Sequence, residues 1–425
     1  MPVIQNVRAM EILDSRGRPT VKAFCTLASG ACAAVSVPSG ASTGAAEALE
    51  LRDGDPQRYR GLGCRRAVAN INGEINLALA GREAASQAEL DALLIALDGT
   101  NNKSRLGANA LLAVSLAYAR ASAAELNLPL YRHFAEILGE SPNRLPRPTI
   151  NLFSGGKHAG GQVEIQDVLL VPASARTIDE ALSMTFSVYQ CAAELISRRY
   201  GMRVLRADEG GLAPPAESSA ALLDDAVSAI ECAGLIPGRD VCLAVDVASS
   251  QFYREREGCY DFDGTQQSSA EMIERLSAWM RDYPIVSLED GLAENEWEHW
   301  PQLLAAANDR ALIVGDDFLC TNPHRIRRAI ETRAASALLL KVNQIGTLTE
   351  AAESCRLTRA AGWHVTVSAR SGETEDDWLA DLAVGWSGNQ IKIGSITQSE
   401  RLAKYNRLLE IESETGWPMQ AWPAK

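Results

Sequence analysis

The chain counts 425 residues, 46% of them hydrophobic and 22% charged, and its 41 Lys plus Arg against 54 Asp plus Glu give a net charge of −13. This ordinary globular composition excludes disordered, collagenous and fibrous classes and leaves room for roughly two or three domains. The acidic excess argues against a nucleic-acid partner, since a duplex demands a basic stripe, yet a local cluster of Lys and Arg can still hold a small anion.

In chain order, the opening reads as β structure, with strands predicted over 3–13, 20–27 and 31–37 and a turn signal at Ser29-Gly30. The charged residues Arg8, Glu11, Asp14, Arg16 and Arg18 leave no space for a signal-peptide core. A loop of small residues follows, Pro38-Ser39-Gly40-Ala41-Ser42-Thr43-Gly44, and from about Ala45 the pattern turns helical. The clearest helix is predicted over 108–126, where Leu111, Leu112, Val114, Ser115, Leu116 and Ala119 recur on a helical period. Its apolar part is too short and too polar to span a bilayer. Nine scattered cysteines without a CxxC pair read as small buried hydrophobes in a reducing compartment. A soluble, cytoplasmic protein without membrane contact is therefore expected. The proline-bearing stretch 139–148 reads as a linker, dividing an N-terminal domain, 1–138, from a C-terminal domain, 139–425.

Beyond the linker, short apolar runs alternate with helix-like stretches: Leu243-Ala244-Val245, Ile285-Val286-Ser287-Leu288, Ile313-Val314, Leu338-Leu339-Leu340, Val365-Thr366-Val367 and Ile391. Such runs suit parallel strands buried on both faces. Each is followed closely by chemistry-bearing residues: Asp246, Glu289, Asp316, Lys341, the Ala369-Arg370-Ser371 tripeptide and Lys392. Their spacing is that of βα units, and charged residues at successive strand ends are the mark of a (β/α)-barrel active face. An open doubly wound sheet is the alternative, but no GxGxxG opens a βαβ unit.

Asp246, Glu289 and Asp316 converging at strand ends would repel one another without a cation between them. An oxygen-only set favours a hard ion, Mg²⁺ above Mn²⁺ or Ca²⁺. Each acid taken singly also reads as a helix N-cap. Lys341 and Lys392 read either as amines driven toward a base role by nearby positive charge or as salt-bridge partners of the acids. In Asp208-Glu209-Gly210-Gly211 the glycines permit a tight turn that aims a carboxyl into a cavity, where it can stay protonated as a general acid; the bland reading is a surface turn. The loop Gly155-Gly156-Lys157-His158-Ala159-Gly160-Gly161 can close over an anion, and the Ser42 hydroxyl can reach a second cation, although such loops are also plain linkers.

These motifs, in this order, resemble the enolase family along essentially the whole chain. The resemblance rests on Asp14-Ser15-Arg16-Gly17, Ser39-Gly40-Ala41-Ser42-Thr43-Gly44, Glu50-Leu51-Arg52-Asp53-Gly54-Asp55, Leu97-Asp98-Gly99-Thr100 and Asp208-Glu209-Gly210-Gly211. It continues through Ser287-Leu288-Glu289-Asp290-Gly291, Gly315-Asp316-Asp317, Lys341-Val342-Asn343-Gln344-Ile345-Gly346 and Arg370-Ser371-Gly372-Glu373-Thr374-Glu375-Asp376. It implies an α/β fold, an N-terminal α+β cap before a modified (β/α)8 barrel, and a homodimer or larger homo-oligomer. The implied activity is Mg²⁺-dependent dehydration of 2-phosphoglycerate to phosphoenolpyruvate, a pattern the general chemistry of enolase-type sites already describes. By motif, Asp246, Glu289 and Asp316 are the implied ligands of one Mg²⁺, and Ser42 of a second that arrives with substrate. Lys341 is the implied base and Glu209 the implied acid. Arg370 and Ser371 are the implied phosphate groups and Lys392 the carboxylate group, with His158, Gln166 and Asp167 lining the substrate.

Four positions depart from the family pattern. Ala369 stands where His is usual, Asp167 where Glu is usual, Lys157 where Glu or Ser is common, and Ile393 where Thr is usual. Together they imply an alternative: a larger or phosphonylated substrate, as in carboxyphosphonoenolpyruvate synthase-type relatives of phosphonate biosynthesis. Another dehydratase, and a binding or structural protein derived from the family without turnover, are the remaining alternatives.

Overall fold

The computed structural model describes residues 2–41, 43–201, 203 and 205–423. Strands β1 (Ile4–Leu13), β2 (Pro19–Leu27) and β3 (Cys32–Ser36) form an antiparallel sheet in chain order. The helix Ala108–Glu125 lies against β2 and β3. Every residue from Ala108 to Ala119 is buried, because the helix is wedged between that sheet and the barrel rather than covering one of them with a single stripe.

The helix expected from Ala45 does not form. The first helical segments after the small-residue loop are Tyr59–Gly61 and Arg65–Asn70. Side chains in between hold a loop instead: Arg52 donates to the carbonyls of Pro19 (2.6 Å) and Leu62 (2.7 Å). The Asp53 carboxylate accepts from the N–H groups of Arg65 (3.1 Å) and Arg66 (2.8 Å), at the start of the next helix.

The barrel begins with β4 (Arg147–Ser154), β5 (Asp167–Val171) and β6 (Cys242–Asp246). A small antiparallel sheet follows, β7 (Tyr253–Arg254), β8 (Cys259–Phe262) and β9 (Thr265–Gln267). The barrel then continues with β10 (Ile285–Glu289), β11 (Leu312–Gly315), β12 (Ala337–Leu340), β13 (His364–Ser368) and β14 (Gln390–Gly394). These close in the order β10-β11-β12-β13-β14-β4-β5-β6. All neighbours are parallel except β5, which is antiparallel to both β4 and β6. This is the modified (β/α)8 barrel of the expected α/β fold. The six apolar runs become β6 and β10 to β14; β4 and β5 were not among them.

Helices Leu130–Leu138 and Trp378–Gly385 pack together, joining the N-terminal half to the barrel. Near the site, Ser39 and Gly372 form a backbone bridge with N–H···O distances of 2.8 and 2.9 Å, and the Arg120 guanidinium meets Asp376 at 2.8 Å. No described helix is long and apolar enough to cross a membrane.

Candidate active site

Parallel strands deliver their C-terminal ends to one face of a barrel. Asp246 and Glu289 are the last residues of β6 and β10, Asp316 and Lys341 directly follow β11 and β12, and Lys392 lies within β14. Because β5 runs the other way, its first residue arrives at this same face: Asp167 is in register with Asp246 on one side and with Ser154 on the other. One small cavity is lined by His158, Gln166, Glu209, Asp246, Lys341, Ser368, Ala369, Arg370, Ser371 and Lys392. Glu289 and Asp316 join it through the lysines: Lys392 Nζ lies 3.0 Å from Asp246 Oδ2 and 2.8 Å from Glu289 Oε2, and Lys341 pairs with Asp316. The chain thus gathers the predicted residues of the barrel at one end. Ser42 lies outside the described residues.

Burial and mutual repulsion dominate the electrostatics. Burial, then the Asp246 charge, pushes the Glu289 carboxyl well above its ordinary range, with Asp316 adding to it. For the two lysines the protein's own charges act against the expected drop. Burial disfavours each ammonium, but Asp316 outweighs it at Lys341, and Asp246 with Glu289 outweighs it at Lys392, so both lie above the usual lysine value. The sequence argument placed positive charge beside these amines; the folded chain by itself supplies carboxylates.

Across the cavity, Ser154 Oγ donates to Asp167 Oδ1 (2.6 Å), while Asp167 Oδ2 bonds His158 Nδ1 at 3.0 Å. The other ring nitrogen of His158 faces Glu209 Oε1 at 3.7 Å. Burial disfavours the imidazolium, yet Asp167 and then Glu209 overcome it and raise His158 to about 9. Burial raises Glu209 too, but His158 and the neighbouring cations leave it below its ordinary value. Burial favours the protonated Glu209 that the sequence allows, whereas the cations around it, His158 first, favour the carboxylate. Asn151 Nδ2 adds a bond to Glu209 Oε2 at 3.2 Å.

At the anion side, Arg370 meets Glu47 at 3.2 Å and donates to Asn343 Oδ1 at 2.9 Å. Burial would lower the guanidinium, but the Glu47 charge raises it. Ser371 Oγ accepts from the Ala41 N–H at 2.8 Å, tying the barrel loop to the small-residue loop of the N-terminal half. Of the four departures, Ala369 lines the cavity. The Lys157 side chain is exposed, and Ile393 is buried with its carbonyl accepting from Arg401, so neither borders that space.

The sequence reading missed several partners. Glu47 also accepts from Gly44 N–H at 3.2 Å and from Gln344 Nε2 at 3.4 Å, and Gln344 donates to Asp316 Oδ1 at 2.9 Å. Asp290 accepts from the N–H groups of Asp316 and Asp317, both at 2.8 Å. The only sequence signal for these was their place inside quoted motifs or just after a loop; no spacing rule assigns such partners across the fold.

The donor chemistry suits a hard divalent cation. Asp246, Glu289 and Asp316 are buried carboxylates whose repulsion is expressed at Glu289, and the Gln166 amide already contacts Asp246 Oδ2 at 3.0 Å. Among the described residues, ligand atoms come within 4.8 Å of one another in two clusters, His158 with Asp167 and Glu209, and Asp290 with Asp316 and Asp317; the Asp246, Glu289 and Asp316 set is not one of them, with the two lysine ammoniums lying between its carboxylates. In the first, Asp167 already bonds His158; in the second, Asp290 already accepts from two backbone N–H groups and the Asp316 carboxylate meets Lys341 and Gln344.

Comparison with known proteins agrees with this geometry. The family model for "Enolase, N-terminal domain" matches residues 4–134, and that for "Enolase, C-terminal TIM barrel domain" matches residues 142–421. The chain is 47% identical over 417 residues to "Enolase" of Desulfotalea psychrophila, covering 97% of this chain and 98% of that protein. It is also 47% identical over 416 residues to "Enolase 1" of Methylococcus capsulatus, covering 97% of each. With both halves matched and the barrel face assembled in the same chain, this protein belongs to the enolase family.

Proposed function

We propose that this chain, a hydro-lyase of the enolase type, converts 2-phosphoglycerate to phosphoenolpyruvate with two Mg²⁺ ions. The observation that supports this reading best is one cavity lined by an amine, Lys341, and a carboxylate, Glu209, together with the cationic groups Arg370 and Lys392. Asp246, Glu289 and Asp316 would hold the first ion, and Ser42 would help hold the second. Bound Mg²⁺ supplies fixed positive charge against the substrate carboxylate, where negative charge grows as the C2 proton leaves.

Lys341 takes that proton. For this it must be neutral. With the Asp316 charge engaged elsewhere, burial is left as the main influence on the amine, and burial lowers it. The Glu209–His158 pair holds a proton beside the cavity and delivers it, through Glu209, to the departing hydroxyl. Arg370 and Ser371 hold the phosphate, and Lys392 the carboxylate. Gln166 and Asp167 keep Asp246 and His158 in place through the bonds described above.

The phosphonate and non-catalytic alternatives are not favoured: relatives matched along nearly the full chain are named enolase, and two of the four departures lie away from the cavity. A division into domains at 138/139, a homodimer or larger homo-oligomer and a cytoplasmic location accompany this reading. Its test is enolpyruvate absorbance with 2-phosphoglycerate. Turnover with Mg²⁺ that stops on chelation is expected; no turnover at saturating Mg²⁺ overturns it.

A further inference from the structure

The C-terminal helix Ser399–Thr415 carries a guanidinium that the chemistry above does not use. Arg401 is fully buried. Its Nη1 donates to the Arg370 carbonyl at 2.7 Å and to the Ile393 carbonyl at 2.9 Å, and its Nη2 donates to the Ser371 carbonyl at 2.7 Å. Glu400 lies 3.4 Å from Nε but forms no hydrogen bond there. A buried cation whose bonds run to backbone carbonyls is a costly way to build a helix–strand contact, since an apolar side chain would pack there without the desolvation penalty.

What the planar fork gains is geometry. Two of its three acceptors are the peptides of Arg370 and Ser371, and the third belongs to β14, one residue beyond Lys392. The surroundings are shaped to admit it. At Gly394, φ is +121° and an added Cβ would stand 2.9 Å from Arg401 Cδ and 3.0 Å from the Glu209 carbonyl. That Glu209 carbonyl accepts from the Ser395 N–H at 2.9 Å. One turn along the helix, Lys404 Nζ donates to the Thr374 carbonyl at 2.7 Å and meets Glu373 at 3.0 Å, fixing the far end of the same loop.

We propose that Arg401 is a positioning residue for anion recognition: its guanidinium sets the Arg370–Ser371 backbone against β14, so that the groups facing the substrate phosphate are held in place before substrate arrives. This rests on the functional reading above, which gives Arg370 and Ser371 the phosphate. Arg401 itself touches no substrate.

The test compares Arg401→Lys and Arg401→Gln with the wild type in full-length protein, reading folding, Mg²⁺ binding, steady-state kinetics with 2-phosphoglycerate and calorimetric binding of inorganic phosphate. Arg401→Lys keeps the buried charge and a reach to part of the carbonyl set, so it serves should Arg401→Gln fail to fold. KM is expected to rise about tenfold or more in Arg401→Lys, with kcat changed less and phosphate binding weakened in parallel, because ground-state anion contacts are lost. In a folded Arg401→Gln both effects are larger. Mg²⁺ affinity stays within about twofold. A lowered melting temperature with unchanged KM and unchanged phosphate binding would make Arg401 merely structural and overturn the proposal. Should the wild type fail to turn over 2-phosphoglycerate, the functional reading falls instead, and the phosphate arm alone decides the role of Arg401: weaker phosphate binding in Arg401→Lys supports it, and equal binding overturns it.

Discussion

His158 shows how one side chain acquires its properties from neighbours that no local motif reveals. Asp167 at 3.0 Å and Glu209 at 3.7 Å flank its two ring nitrogens, which is why it binds a proton up to about pH 9 although buried. The pKa lies above the ordinary histidine value of 6.5, so the pair contributes stability that is full below about pH 6.5 and is lost as pH rises through about 9. Asp167→Asn removes the nearer charge. The His158 pKa is then expected to fall toward the ordinary value, as followed by NMR titration of the imidazole resonances in metal-free protein; an unchanged value would contradict this account of the pair. For Lys341, Lys341→Ala should lower kcat by about 10²–10⁴-fold, the usual contribution of a general base, with Mg²⁺ affinity preserved. Residual turnover within tenfold of wild type would remove Lys341 from the base role. The candidate residues themselves stood out in the sequence because charged side chains directly after apolar runs are unusual. Their protonation states did not, because these depend on which carboxylate the fold places opposite which amine.

At the scale of elements, the rule that found six barrel strands also explains the failure at β5. Asp167-Val168-Leu169-Leu170-Val171 is as apolar as the others, and all five residues are buried. It opens with its charged residue instead of ending with one, since it runs antiparallel to its neighbours. A search for apolar runs closed by a charge passes over it. The β4 run was obscured by Arg147, Pro148 and Asn151, all buried in the fold. The turn carrying Glu209 was more readable, since paired glycines signal close approach. Gly210 has φ +84°, and an added Cβ would collide with Thr397 Oγ1 and stand 3.2 Å from the Thr397 carbonyl. Gly210→Ala is therefore expected to cost about 1–3 kcal/mol in urea unfolding and to lower kcat by displacing Glu209. Stability and kcat both at wild-type levels would show that the turn tolerates the change.

For the whole molecule, the loop of the N-terminal half is part of the site, bridging Ser39 to Gly372 and Ala41 to Ser371. Composition and apolar patterning marked two halves; they carried no information on how one loop closes over the other half, since that depends on side chains hundreds of residues apart. Glu47 and Arg370 are a case in point, a buried pair at 3.2 Å. Breaking a buried pair from one side leaves a charge short of its partner, so Glu47→Ala should destabilise the protein by roughly 3 kcal/mol or more, measured by urea denaturation. Loss of under about 1 kcal/mol would mean that this contact contributes little to docking the loop. The account as a whole depends on where a divalent cation settles. Anomalous diffraction from Mn²⁺ in crystals of this chain reads that directly: the account predicts a peak within coordination distance of Asp246, Glu289 and Asp316 together, with Lys392 and Lys341 withdrawn from those oxygens. A peak bounded instead by His158, Asp167 and Glu209, or no peak between the three strand-end carboxylates at saturating Mn²⁺, would contradict it.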